Sequence, residues 1–126
     1  MSRVLLVEDE ELNRVLVRAI IARAEPSAVR DVDLLEAGSL AAARTALEGE
    51  AVDVVLLDVN LPDGNGLDLA AELSGGLTRP TVIALTASVL PHERAAAMEA
   101  GCDAFLDKPY AAADLVTMLA SHLSRP

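Results

Sequence analysis

The stretch Asp53-Val54-Val55-Leu56-Leu57-Asp58 places four consecutive apolar residues between two aspartates. Two further stretches have the same continuously apolar character, Val4-Leu5-Leu6-Val7 and Val82-Ile83-Ala84-Leu85. Strands of this kind are typical of a parallel sheet whose two faces are both covered by helices. The three stretches therefore predict the central strands of a buried parallel sheet.

Strand and helix patterns alternate along the whole chain. Strands are predicted at residues 4–7, 32–35, 52–57, 81–85 and 104–106. The segments between and after them repeat apolar residues at the i, i+3, i+4, i+7 spacing of a helix. The first helix is predicted to end near Glu25, because Pro26 disfavours helical geometry in the residue before it. The second is predicted to begin after Ser39, a natural N-cap. Such alternation predicts an α/β protein with crossover helices.

The second and fifth strands differ from the other three because acidic residues bound or interrupt them. Asp31, Asp33 and Glu36 accompany the second strand, and Asp103 and Asp107 enclose the fifth. These two strands are therefore predicted at the sheet edges. Edges at strands 2 and 5 match the order 2-1-3-4-5, so the predicted fold is a flavodoxin-like, doubly wound (βα)5 sheet. Residues 1–126 are predicted to form a single domain.

Composition excludes several classes of function. Of 126 residues 52% are hydrophobic, and the formal net charge is −10. That charge disfavours direct binding to nucleic acid. No apolar run approaches the roughly 18 residues of a membrane span, and no signal peptide is evident, so a cytoplasmic protein is predicted. One cysteine excludes an internal disulfide, and two histidines leave few ligands for a zinc site.

Polar side chains follow the predicted strands at their carboxyl ends. Glu8 and Asp9 follow the first strand, Asp58 the third, Thr86 the fourth and Lys108, the only lysine, the fifth. Ligands of open α/β sheets bind beyond the carboxyl ends of the strands, so these groups are expected to converge.

Clustered carboxylates repel one another unless a cation lies among them, and Mg²⁺ suits a set of oxygen ligands. A carboxylate near a metal can act as a nucleophile towards phosphorus. The set of residues is therefore sufficient for Mg²⁺-dependent phosphorylation of an aspartate.

Four motifs resemble those of bacterial two-component response-regulator receiver domains of the chemotaxis-regulator kind. They are Leu5-Leu6-Val7-Glu8-Asp9, the segment from Leu57 to Gly66, Thr86-Ala87 and Lys108-Pro109. The order of the motifs makes the resemblance specific, and it covers the whole chain. In addition, Glu11-Leu12-Asn13-Arg14 is similar to receivers attached to hybrid histidine kinases.

The resemblance implies Asp58 as the phosphoacceptor. It implies a Mg²⁺ or Mn²⁺ ion bound by Asp9 and Asp58 directly, by Glu8 through water, and by the backbone carbonyl of Asn60. Lys108 would contact the phosphoryl group.

The resemblance also implies the parts of a conformational switch. Thr86 is the switch hydroxyl, and Phe105 falls at the position of the switch aromatic, without the hydroxyl of a tyrosine. A cis peptide bond is implied between Lys108 and Pro109. Tyr110, beside that bond, is a candidate contact for a partner protein.

The implied function is signalling rather than enzymatic turnover, with Mg²⁺-dependent self-phosphorylation and slow autodephosphorylation. The phosphoryl donor would be a histidine kinase or a histidine phosphotransfer protein. A downstream protein would bind the face formed by the fourth helix, the fifth strand and the fifth helix.

Two other functions remain open on the residues alone. An aspartyl-phosphate phosphatase of the haloacid dehalogenase type needs an acid two residues after its nucleophile, where this chain has Asn60. A flavodoxin-like electron carrier needs a phosphate cradle after the first strand, where this chain is acidic from Glu8 to Glu11.

One departure from the receiver pattern, Gly64-Asn65-Gly66, predicts a more flexible loop after the third strand.

Overall fold

The computed structural model describes residues 2–49, 51–75, 79–86, 91–108 and 110–123. Its elements, in chain order, are β1 (Arg3–Val7), α1 (Glu11–Ala22), α2 (Ser27–Arg30), β2 (Asp33–Ala37), α3 (Leu40–Gly49), β3 (Val54–Asp58), β4 (Asn60–Leu61), β5 (Gly64–Asn65), α4 (Gly66–Ser74), β6 (Thr81–Thr86), α5 (Pro91–Glu99), β7 (Ala104–Asp107) and α6 (Ala112–Leu123).

Five of these strands form one parallel sheet. Their order is β2-β1-β3-β6-β7, and every neighbouring pair is parallel. When the short β4–β5 hairpin is left out of the count, this is the predicted order 2-1-3-4-5, so the predicted fold is confirmed.

Burial separates the central strands from the edges as the acidic residues predicted. All five residues of β3 are buried, whereas no residue of β7 is fully buried. In β2 only Ala37 is fully buried. Its bounds also differ from the prediction, because β2 is paired with β1 as far as Val7↔Ala37 and therefore extends two residues beyond 32–35.

Helices cover both faces of the sheet. Leu56 packs in one core layer with α1, α2 and α6, represented by Leu119. The next residue, Leu57, points to the opposite layer with α3, α4 and α5, represented by Leu69. This alternation gives the central strands their continuously apolar sequence.

The helix α2 is an addition to the predicted elements. The first helix ends at Ala22 rather than near Glu25, and the four residues of α2 form a separate turn after Pro26. Arg30 Nη1 donates hydrogen bonds to the carbonyl oxygens of Ala24 (3.1 Å) and Glu25 (3.0 Å). Four residues are too few to show a helical period, so this turn has no signal in the sequence pattern.

The loop after β3 forms a short hairpin, and the greater flexibility expected from its glycines stays a prediction. Strands β4 and β5 pair in antiparallel fashion, Asn60 with Asn65 and Leu61 with Gly64. Gly64 has a positive φ of 150°, which favours glycine. Asp63, in the turn, accepts hydrogen bonds from the backbone N–H groups at the start of α3, at 2.8 Å from Leu40 and 3.1 Å from Ala41. The carboxylate thus ties the hairpin to a helix N-terminus.

Candidate functional site

Three carboxylates meet at the carboxyl ends of β1 and β3, which are neighbours in the sheet. Oxygen atoms of Glu8, Asp9 and Asp58 all lie within 4.8 Å of one another. Glu8 is fully buried, Asp58 is 5% exposed, and Asp9 is exposed to solvent. We refer to these three residues as the acidic cluster. The structure therefore brings together the acids that the sequence analysis selected.

Lys108 reaches the acidic cluster from the end of β7. Its Nζ lies 3.0 Å from Oε1 of Glu8 and 3.4 Å from Oδ2 of Asp58. One ammonium group thus bridges two carboxylates, so its charge compensates only part of theirs.

The two buried carboxylates differ in pKa. Burial raises the pKa of Asp58 to about 6, and a hydrogen bond with Glu8 adds to the increase. Burial alone would raise the pKa of Glu8 as well, but hydrogen bonds with Lys108 and Asp58 outweigh it, and the net shift is downward. Burial would lower the pKa of Lys108, but its bond to Glu8 and the charge of Asp58 raise it overall. Lys108 therefore stays protonated. When the pH becomes mildly acidic, Asp58 takes up a proton before Glu8 does.

The start of α1 holds Glu8 in place. Asn13 Nδ2 donates to Glu8 Oε1 at 3.3 Å, and the Glu10 backbone N–H donates to Oε2 at 3.3 Å. Arg14 Nη1 donates to the backbone carbonyl of Glu8 at 2.7 Å. No sequence pattern assigned a role at the site to Asn13 or Arg14. Their positions one helical turn into α1 are the signal that could have identified them, since the first turn faces the end of β1.

The hairpin after β3 surrounds Asp58. The Asn60 backbone N–H donates to Asp58 Oδ1 at 3.2 Å. A Cβ atom at Gly66 would overlap the carbonyl oxygen of Asp58, so only glycine fits there without a shift of the backbone. Gly66 N–H also donates to the Val59 carbonyl at 2.7 Å, which closes the hairpin against the strand end.

The two predicted switch residues lie on neighbouring strands. Thr86 ends β6 and pairs with Asp107 of β7, and the Lys108 backbone N–H donates to the Thr86 carbonyl at 2.7 Å. Phe105 is partly buried and packs on the layer formed by α3, α4 and α5. Ala87 and Pro109 lie outside the described residues, and so does the predicted cis bond between Lys108 and Pro109.

Tyr110 is half-buried rather than fully exposed. It packs against the core layer formed by α1, α2 and α6, and burial raises the pKa of its hydroxyl. Part of the ring therefore packs against the core, and the role of Tyr110 as a partner contact stays a prediction.

The donor set fits a hard divalent cation. Three carboxylates are clustered with one ammonium group, which leaves excess negative charge at the carboxyl end of the sheet, where Asp9 is exposed to solvent. Carboxylate oxygen is the ligand that Mg²⁺ and Mn²⁺ prefer, whereas the cluster offers neither sulfur nor imidazole. The acidic cluster is therefore suited to Mg²⁺ or Mn²⁺.

The sequence matches the family model of the response regulator receiver domain over residues 4–120. The chain belongs to this family of two-component signalling domains. Family membership favours the signalling function over the phosphatase and the electron carrier considered above.

Its relatives include both response regulators and sensor proteins. It is 38% identical over 121 residues to the two-component response regulator ORR41 of Oryza sativa subsp. japonica, covering 95% of this chain and 93% of that protein. It is 40% identical over 119 residues to the aerobic respiration control sensor protein ArcB of Escherichia coli K12, covering 92% of this chain but only 14% of ArcB.

A solved receiver domain agrees with both the fold and the metal chemistry. The receiver domain of the sensor histidine kinase PA1611 from Pseudomonas aeruginosa PAO1 has a TM-score of 0.83 and 26% identity, with 97% of each chain covered. That structure contains a magnesium ion coordinated in its active-site cleft.

No helix among the described residues of the present chain is long and apolar enough to cross a membrane.

Proposed function

We propose that this receiver accepts a phosphoryl group on Asp58 and that the modification changes which protein it binds. The donor is the phosphohistidine of a histidine kinase or of a histidine phosphotransfer protein. The observation that carries the proposal is the position of Asp58: a nearly buried carboxylate at the strand ends, 3.4 Å from the ammonium of Lys108 and clustered with two further acids.

The chemical step is a transfer between two nucleophiles. A carboxylate oxygen of Asp58 attacks phosphorus, the P–N bond of phosphohistidine breaks, and its electron pair returns to the imidazole nitrogen. The Asn60 N–H on Oδ1 and the Lys108 ammonium near Oδ2 orient the attacking carboxylate. At neutral pH Asp58 is ionised, because its pKa of about 6 lies below that pH.

Glu8, Asp9, Asp58 and the backbone carbonyl of Asn60 would hold the Mg²⁺ or Mn²⁺ ion. The bound ion supplies positive charge that offsets the negative charge of the entering phosphoryl oxygens. Within the chain, Lys108 supplies the second positive charge, and Asn13 and Arg14 keep Glu8 directed at the site.

The phosphorylated aspartate then redirects its neighbours. The Thr86 hydroxyl and the Lys108 ammonium turn towards the phosphoryl oxygens, and Phe105 repacks in response. The face formed by α5, β7 and α6, which we call the switch face, changes shape and binds a downstream protein, with Tyr110 at its edge. This is a shift between two populations driven by local charge.

The domain spans residues 1–126, acts as a signalling receiver that loses its phosphoryl group slowly to water, and is cytoplasmic. It makes no direct contact with nucleic acid, since the chain carries a formal charge of −10. Its similarity to the ArcB sensor supports an origin in a hybrid kinase, whereas its similarity to ORR41 supports a separate regulator.

Intact-mass spectrometry after incubation with Mg²⁺ and acetyl phosphate tests the proposal. The wild-type chain is expected to gain the mass of one phosphoryl group and the Asp58→Asn variant none. Asp63→Asn is the matched control, because Asp63 lies in the same loop and is expected to leave the gain intact. Phosphorylation of Asp58→Asn to the wild-type level would refute the proposal.

A further inference from the structure

Arg94 of α5 contacts two residues of β7. Its Nη2 lies 2.5 Å from Oδ2 of Asp107, and its guanidinium carbon lies 4.8 Å from the centre of the Phe105 ring. A guanidinium at this distance from an aromatic ring is attracted by the ring's electrons. A single side chain thus joins the helix, the aromatic residue and the last residue of the edge strand.

The two contacts of Arg94 lie beside the groups that respond to phosphorylation. Asp107 pairs with Thr86 across the sheet, and the next residue, Lys108, donates its backbone N–H to the Thr86 carbonyl. Phe105 precedes Asp107 by two positions and therefore lies on the same side of β7. Thr86 and Lys108 are thus connected through the backbone to the strand that carries both contacts of Arg94.

A cavity gives Phe105 space to change position. Its volume is about 260 Å³, and it extends from the hairpin after β3 to α5. Its lining includes Asn60, Thr86, Arg94, Ala97 and Phe105. The ring, already partly exposed, is therefore held by its contacts rather than by close packing on every side.

We propose that Arg94 is a positioning residue that holds Phe105 in the arrangement of the unphosphorylated protein and so opposes the switch. The inference rests on the proposed function, since it assigns a restraint on the same conformational change. The role of Arg94 goes beyond the proposed function, because Arg94 is not part of the acidic cluster and the proposed phosphorylation of Asp58 does not require it.

The restraint is weak enough to be released. Arg94 Nε and Asp107 Oδ1 are buried and have no hydrogen-bond partner within the part of the chain described. The side chains are 36% and 40% exposed, so solvent screens the ion pair. A pairing that leaves two polar atoms unsatisfied stabilises only modestly. Its loss is expected to shift the switch equilibrium by roughly three- to tenfold.

The first test is the affinity of the Arg94→Met variant for beryllofluoride, a phosphoryl mimic, measured with Mg²⁺ by NMR titration. Methionine keeps an unbranched apolar stem and removes the charge. The variant is expected to bind roughly three- to tenfold more tightly than wild type, because less of the binding energy is used to release Phe105. The matched control is Arg44→Met, which breaks an ion pair with Glu72 (2.6 Å) away from β7 and is expected to leave the affinity unchanged.

The second test observes Phe105 directly. The chain has one phenylalanine, so selective ¹³C labelling of that residue type gives the signals of a single ring. In unliganded Arg94→Met these signals are expected to move towards their beryllofluoride-bound positions, and in Arg44→Met they are expected to stay. A merely structural role of Arg94 would lower the melting temperature without moving them in that direction.

The outcomes separate the two proposals. Failure of wild type to bind beryllofluoride counts against the proposed function and, with it, against the restraint. Normal binding by wild type leaves the proposed function standing, and the Arg94→Met variant then decides the restraint alone. Unchanged signals, or an affinity equal to or weaker than that of wild type, overturn the role of Arg94. In a Phe105→Leu background the effect of Arg94→Met is expected to shrink, and an undiminished effect would show that Arg94 does not act through the ring.

Discussion

The Nζ of Lys108 lies 3.0 Å from Oε1 of Glu8, a side chain with no exposed surface and one hundred residues away in sequence. This pair joins the first and last strands in chain order at the same end of the sheet. The same nitrogen lies 3.4 Å from Oδ2 of Asp58, so one compact ammonium group contacts both carboxylates.

Replacement of Lys108 by arginine is expected to impair switching. The planar guanidinium keeps the charge, but it is wider and cannot take the place of a compact ammonium between Glu8 and Asp58. Loss of a charge-assisted hydrogen bond to the phosphoryl group should weaken beryllofluoride binding about tenfold or more. NMR titration of Lys108→Arg measures this, with Arg44→Lys as a control at an exposed ion pair. Normal affinity together with a normal shift of the Phe105 signals would contradict the role of Lys108.

Asp58→Asn is expected to stabilise the metal-free protein at pH 7. The pKa of Asp58 is raised to about 6 by burial and by Glu8, so the folded state binds its proton more tightly than the unfolded state does. The associated stability is fully present below the unfolded pKa and is lost as pH rises through about 6. The gain in the variant should therefore be on the order of 1–3 kcal/mol at pH 7 and much smaller near pH 4.5.

Urea unfolding in the presence of a chelator at these two pH values measures the difference. A gain that does not change with pH would show that ionisation of Asp58 is not its source. Added Mg²⁺ should stabilise wild type more than the variant, because the variant lacks one of the three carboxylates.

Asp63→Ala is expected to lower the unfolding midpoint of the protein. Two backbone N–H groups at the start of α3 lose their acceptor, and the same hydrogen bonds lower the pKa of Asp63 in the folded state. A lowered pKa contributes stability above the unfolded pKa that is lost as pH falls through the folded one. The difference between variant and wild type should thus be present at pH 7 and should shrink in acid.

Ser39→Ala provides the non-titrating comparison for Asp63. Ser39 Oγ accepts from the Ala42 N–H at 3.1 Å in the same helix, and its loss should cost about 0.5–2 kcal/mol at either pH. Chemical denaturation of both variants at pH 7 and pH 3 checks the pair. Equal pH dependence in the two would argue against the role of the Asp63 carboxylate.

Gly66→Ala is expected to disturb the site through the backbone. The new methyl group would meet the carbonyl of Asp58, so the hairpin must shift, at a cost of about 1–3 kcal/mol and with slower phosphorylation. Gly49→Ala is the matched control, since a Cβ there meets nothing within 4 Å and alanine favours a helix. Thermal unfolding and intact-mass time courses compare them. A Gly66→Ala variant that behaves like Gly49→Ala would show that the close approach is unimportant.

The sheet order and the acidic cluster could be predicted because both depend on rules that act along the strands. Acidic residues around β2 and β7 identified the edges, and the shared direction of parallel strands brought Glu8, Asp58 and Lys108 to one end. Neither inference needed the conformation of a side chain.

The features that were missed depend on how separate elements dock. Asp63 caps a helix that begins 23 residues earlier in the chain, and Arg94 meets Asp107 across 13 residues. No periodicity links such pairs, so only the packed structure shows them. The hairpin formed by β4 and β5 was not predicted for a related reason. The sequence does not show that Gly64 lies close to Leu40 and Gly66 close to the backbone of Asp58, where a larger residue would not fit.

The central claim, that Asp58 carries the phosphoryl group, is tested most directly by mapping the modified residue. Borohydride reduces an acyl phosphate to the corresponding alcohol, which converts a phosphorylated aspartate into homoserine, and tandem mass spectrometry of the digested chain locates that residue. Homoserine at position 58 is the predicted result, with none at Asp9 or Asp63. Homoserine at another position, or a phosphoryl group that survives reduction on a serine, threonine or histidine, would contradict the account.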